Sequence, residues 1–81
     1  MTTRERSFLE MDAGEQREFL ASELADWIEA EFWSSSRAAT FYRRVKILAA
    51  SIGETFVEIM EILNADADAI VAARAGTTVD R

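Results

Sequence analysis

Glu58 and Glu61 stand three residues apart, as do Glu23 and Asp26. At that spacing two carboxylates share one face of a helix, and two such faces meeting inside a bundle can hold a magnesium ion. The pattern is common in a chain with fifteen acids. On a helical wheel of about 100° per residue, Glu58 and Glu61 also turn away from the apolar stripe of their own helix. The two pairs are therefore not expected to converge. A second acidic run, Asn64-Ala65-Asp66-Ala67-Asp68, sets oxygen ligands at alternate positions, like the opening of a calcium loop. Such a loop needs glycine at its sixth position and a bidentate glutamate at its twelfth. Here those positions are Ala69 and Ala75, and a solvated helical face is expected instead. The chain has no cysteine and no histidine, which removes disulfides, thiolate zinc sites, Cys or His nucleophiles and imidazole bases. The expectation is a protein without catalytic residues, metal or cofactor.

Two further constellations point towards nucleic acid. In Leu48-Ala49-Ala50-Ser51-Ile52-Gly53-Glu54-Thr55, with Ile59 following, the spacing is that of a helix-turn-helix core. Small Ala49 lets two helices approach, Gly53 supplies a positive φ after apolar Ile52, and Ile59 anchors the second helix. That second helix, however, would offer Glu54, Val57, Glu58 and Glu61 to a groove. Phosphates repel such a surface, and no side chain on it reads a base bidentately. Phe32-Trp33 and Phe41-Tyr42 interleave with Arg37, Arg43, Arg44 and Lys46, a mixture that can stack and neutralise single strands. Phe41 lies in a core stripe, so arginines packed over core aromatics are the simpler expectation. Trp33 falls on the back of its helix and is expected to be an exposed contact.

Charge is distributed in blocks. Residues 1–31 carry nine acids against three arginines, residues 32–53 four cations and no acid, and residues 54–81 six acids against two arginines. The whole chain carries −6 at pH 7. Neighbouring helices are expected to neutralise one another across their packed edges. The remaining acidic flanks suit a partner with a positive surface.

The elements that would position these residues are all helical. Proline is absent and glycine occurs only at positions 14, 53 and 76, so helix ends must be read from caps. Thr2 with Glu5 and the pair Phe8-Leu9 suggest a short helix over 3–11. Asp12 with Glu15 forms a capping box, opening a helix over 13–33 with a stripe of Leu20, Leu24, Trp27 and Ile28. Ser34-Ser35-Ser36 closes it and caps a helix over 36–52, striped by Phe41, Val45, Leu48 and Ile52. Ser51 with Glu54, or Thr55 with Glu58, opens a helix over 55–75 that runs unbroken through Asn64, with residues 76–81 as a frayed tail. The fold expected over 1–81 is all-α: a small antiparallel three-helix bundle with a short additional N-terminal helix, in which the last two helices can pack as in a helix-turn-helix. No apolar run reaches the length of a membrane span or signal peptide, so a soluble cytoplasmic protein is expected.

Ile47 and Ile62 each lie about 120° from the centre of their stripes, and Val57 lies off the other side. Together with Trp33 these read as surplus apolar surface for a homodimer or a protein partner. The functional expectation is a small acidic helical protein acting by protein–protein binding: an inhibitor, antitoxin, immunity or phage-type anti-defence protein. Its partner-binding residues would be Glu54, Glu58, Glu61, Trp33, Ile47 and Ile62, with acids of the second helix in reserve. The alternative is a helix-turn-helix-like nucleic-acid-binding regulator that contacts phosphates through Arg37, Arg43, Arg44 and Lys46.

Overall fold

Local chemistry accounts for where each helix begins. In the computed structural model, which describes residues 3–30 and 32–79, the order is α1 (Thr3–Glu10), α2 (Ala13–Ala30), α3 (Ser35–Ile52) and α4 (Phe56–Val79). The Asp12–Glu15 box forms in both directions: the Glu15 N–H donates to Asp12 Oδ1 at 2.8 Å, and the Asp12 N–H donates to Glu15 Oε1 at 3.1 Å. Ser34 holds an extended backbone, and its Oγ accepts from the Arg37 N–H at 3.3 Å. Of the two caps available to α4, the structure uses Thr55 with Glu58, because Ser51 is still inside α3. Gly53 takes φ 74° at the end of α3, and both its N–H and that of Glu54 turn back to the Ala49 carbonyl.

Nothing lies within 4 Å of where a Gly53 Cβ would sit, so a side chain there meets only backbone strain. Gly53→Ala is therefore expected to lower the unfolding free energy by about 1–2 kcal/mol, with a smaller loss for Gly53→Asn. Urea unfolding midpoints of the two variants check this, and equal losses would contradict it.

Five boundaries differ from the sequence expectation: α1 ends at Glu10 and α4 begins at Phe56, each one residue from the expected position, and the other three have a local cause. Helix α2 stops at Ala30, three residues early, because Trp33 folds back to stack on Trp27 with ring centroids 4.6 Å apart. Residues six apart on one continuous helix point about 120° away from each other, so that stack requires the chain to leave the helix. Helix α3 starts one residue early, at Ser35, because Ser34 is its cap. Helix α4 does not fray at Gly76 but continues to Val79. Its last turns follow Arg74, which Asp26 and Glu29 of α2 hold at 3.1 and 2.6 Å. Thr2, and residues 80–81 of the expected tail, lie outside the described residues.

Contacts between helices set the topology. Glu23 faces Arg44 and Trp27 meets Phe41, so α3 runs back along α2. Arg17 reaches Asp66 while the later Asp26 and Glu29 reach Arg74, so α4 runs in the same sense as α2. The result is a small antiparallel three-helix bundle, all-α throughout the described residues. Its core is Leu20, Ala21, Leu24 and Ala25 from α2, Phe41, Val45, Leu48 and Ala49 from α3, and Ile59, Leu63 and Ala67 from α4. Fully burying each large member is worth about 1.5–3 kcal/mol. Ala49 and Ile59 are buried on either side of the Gly53 turn, as the helix-turn-helix-like spacing requires, but Ile52 is 44% exposed. Helix α1 seats Phe8 against Phe19 of α2 and Arg44 of α3, and the Phe8 carbonyl accepts from Gln16 Nε2 at 3.0 Å. Among the described residues no helix is long and apolar enough to cross a membrane.

Candidate functional site

Helix α4 and the cap residues before it turn a mainly acidic face to water. Glu54, Glu58, Glu61, Ala65 and Asp68 follow each other at three- and four-residue steps, with Val57 beside Glu58, and all are exposed. Val57, 63% exposed, is the apolar member within the acidic stripe. The face starts in the cap of its own helix. Glu58 Oε1 accepts from both the Thr55 N–H and the Thr55 hydroxyl, each at 3.1 Å. Those bonds to Thr55, the backbone one foremost, and a hydrogen bond with Glu54 hold the Glu58 carboxyl below its ordinary range. The same carboxylate raises its neighbour: Glu54, hydrogen-bonded to Glu58, titrates above the ordinary value. The stripe thus begins with two carboxyls that compete for one proton. The three acids singled out from the sequence lie where the wheel placed them.

The cations of α3 divide. Arg44 is 6% exposed, its guanidinium lying 5.4 Å from the Phe8 ring centre, 5.5 Å from that of Phe19, and 3.7 Å from Glu23. This corrects its expected place among the exposed contacts for a nucleic-acid backbone: the residue is a cation enclosed where α1 closes over the α2–α3 face. Arg37, Arg43 and Lys46 are exposed. The Arg37 guanidinium lies over the Trp33 ring at 4.6 Å.

The apolar outliers are also reassigned. Trp33 is half-buried between Trp27, Phe41 and Arg37, and so is not the exposed contact expected from a continuous helix. Ile47 and Ile62 are half-buried and pack against the core, because three helices around one axis cover more of each helix than a single stripe. Ile62 lines an apolar cavity of about 180 Å³ with Ala13, Gly14, Leu48, Ile59 and Leu63. Val57 stays exposed as expected, and the other large apolar side chains exposed among the described residues are Leu9, Ile28, Phe32, Tyr42 and Ile52, of which Phe32 is 75% exposed. Ile28 and Tyr42 line an open groove of about 370 Å³ with Leu24, Trp27, Met60 and Asn64.

The chain matches no family model, no curated protein and no solved structure. The reading of the site rests on its own geometry.

The paired acids do not meet. Glu23 faces Arg44, Asp26 faces Arg74, and Glu58 is bound to Thr55. Among the described residues no group of three or more acids is placed to share a metal ion. The run 64–68 lies inside α4: Asn64, Ala65 and Asp68 are exposed, Ala67 is buried in the core and Asp66 is tied to α2. Arg17 Nε donates to Asp66 Oδ2 at 2.6 Å and its second guanidinium nitrogen to Oδ1 at 3.1 Å, a bidentate pair. That contact, and the Arg74 pairs, show that the acidic helices α2 and α4 are joined by their own arginines; the basic helix α3 neutralises α2 through Arg44.

The pH response follows from these pairs. Hydrogen bonding from Arg17 lowers the Asp66 pKa, so its contribution is full above the ordinary Asp range and is lost as pH falls through it. Glu58, also lowered, acts in the same direction; Glu54, raised, contributes below the ordinary Glu range and loses that as pH rises. Both partners of the Arg17–Asp66 pair keep solvent contact, so Asp66→Asn is expected to cost less than about 1 kcal/mol at neutral pH. It should also make the acid-side decline in stability shallower. Denaturant midpoints at neutral and acidic pH measure both, and an unchanged acid slope would count against the pair.

Proposed function

We propose that this protein acts by binding another protein, and that the acidic face of α4 is its contact surface. The observation that carries this reading is the exposed stripe Glu54–Val57–Glu58–Glu61–Ala65–Asp68, which holds no cation and is centred on one solvent-exposed aliphatic side chain. An apolar contact ringed by like charges is the form in which a basic partner is both steered and anchored. The partner is a protein with a positive surface, and the role is that of an inhibitor, antitoxin or immunity protein whose carboxylates cover a basic site, acting in the cytoplasm without chemistry of its own. Self-association is a second reading, supported by Ile28 and Tyr42 on the rim of the open groove.

Immobilised protein exposed to a cell lysate at low and high salt tests the first reading. A protein retained at low salt should leave at high salt, because steering between exposed charges is screened beyond about 8–10 Å. It should bind at least about tenfold more weakly to a Glu54→Lys, Glu61→Lys double variant, which spares the Thr55–Glu58 cap. Retention that ignores both salt and the double variant, or recovery of nucleic acid alone, overturns the proposal. Light scattering decides the second reading, since a constant mass near 9.1 kDa at all concentrations means a monomer.

A further inference from the structure

Between α2 and α3, and sharing no residue with the acidic stripe, lies a cleft that holds two arginines. This cleft of about 190 Å³ is lined by Glu23 and Trp33 and by Ser36, Arg37, Thr40 and Arg44, the last four set along one side of α3 within about two turns. Among the described lining residues, two guanidinium groups accompany one carboxylate in a protein whose net charge is −6.

Arg44 gives the cleft its chemistry. The side chain is more than nine-tenths buried, yet its nearest Glu23 oxygen is 3.7 Å away, beyond hydrogen-bond distance. Its Nε is buried and has no hydrogen-bond partner. A buried guanidinium whose Nε–H lacks a partner is costly, and an oxyanion bound to the group would offset part of that cost. Arg37 stands at the opening with its guanidinium over Trp33, and no side-chain hydrogen bond holds it there among the described residues. Ser36 and Thr40 add hydroxyls, and the cleft begins at the N-terminal turn of the 18-residue α3, where the helix dipole favours negative charge. Trp27 and Arg37 already cover the Trp33 ring, so the cleft has no open aromatic wall on which a nucleobase could stack.

We infer that this cleft binds a small oxyanion, the phosphate or carboxylate group of a small molecule, through Arg37 and Arg44 with Ser36 and Thr40. Planar guanidinium donors suit either group, and Glu23 holds Arg44 in place while the site is open. The site is separate from the acidic face, so the proposal stands or falls independently of the partner.

The test is an NMR titration of the labelled protein with sodium phosphate and, separately, sodium acetate, at ionic strength held constant with sodium chloride. Saturable shifts are expected at the Ser36, Arg37 and Thr40 amides and at the Arg44 Nε–H. Arg37→Ala, on an exposed side chain, should weaken the better anion about tenfold or more. Lys46→Ala should leave it unchanged, and Glu23→Gln, which removes the competing carboxylate, should tighten it. Tighter phosphate than acetate identifies a phosphorylated ligand, and the reverse a carboxylate. Linear shifts that never saturate, shifts spread over all surface cations, or equal binding by the Arg37→Ala variant overturn the inference.

Discussion

Arg44→Ala is expected to cost about 3–5 kcal/mol, the range seen when one partner of a buried ion pair is removed. In a domain of this size that lowers Tm by roughly 12 °C or more. Three losses combine. The stem of Arg44 fills the space between Phe8, Phe19 and the α2–α3 seam, and truncation empties it. The attraction of the cation to the two rings disappears. Glu23, with a side chain only 16% exposed, loses the cation it faces. Arg44→Met separates these effects, since it keeps most of the packing and removes the charge. It is expected to recover much of the loss, and combining it with Glu23→Gln to recover more. Thermal unfolding of the three variants beside the wild type reads the series. If Arg44→Ala melts within a few degrees of the wild type, Arg44 is a surface residue and the account of the α2–α3 face fails.

Phe8→Ala should produce a loss of similar size through a different route. Removing a buried Phe typically costs about 3–5 kcal/mol. Phe8 is 1% exposed and is the one fully buried residue among those of α1 whose burial is described, in an eight-residue helix too short to persist alone. Without the ring, α1 is expected to leave the bundle while α2, α3 and α4 stay folded. Gln16 and Arg44 would then gain water, which offsets part of the cost; Gln16 Oε1 has no hydrogen-bond partner while α1 is docked. The signature is a lower denaturant m value, because the variant's native state already exposes the surface that α1 covers. Leu63→Ala, a cavity in the centre of the bundle, should cost about 2–5 kcal/mol with m unchanged. Equal m values for the two variants would show that α1 is not held through Phe8 alone.

These two residues also mark where reading the sequence succeeds and where it stops. The acids Glu54, Glu58 and Glu61 could be assigned to a solvent face from the wheel alone, because a helix fixes the direction of a side chain relative to its own stripe. Arg44 on the edge of the α3 stripe could not be assigned, since burial there depends on Phe8, thirty-six residues away in sequence. Ile47 and Ile62 carry the same ambiguity. A wheel shows that they leave the stripe, but not how far the neighbouring helices wrap around it.

Sequence alone determined most of the local grammar: the Asp12–Glu15 capping box, a serine cap for α3 within 34–36, the left-handed glycine at position 53 and the four helices in their order, with two boxes left open for α4. Each of these depends on groups within four residues of one another, and hydrogen-bond chemistry at that range leaves few alternatives. Tertiary structure decided the rest. It chose Asp66 for Arg17, and Asp26 with Glu29 for Arg74, drew Trp33 back onto Trp27, and enclosed Arg44. A chain with fifteen acids offers each arginine many possible partners, and only the angle and register of packed helices bring one of them within reach.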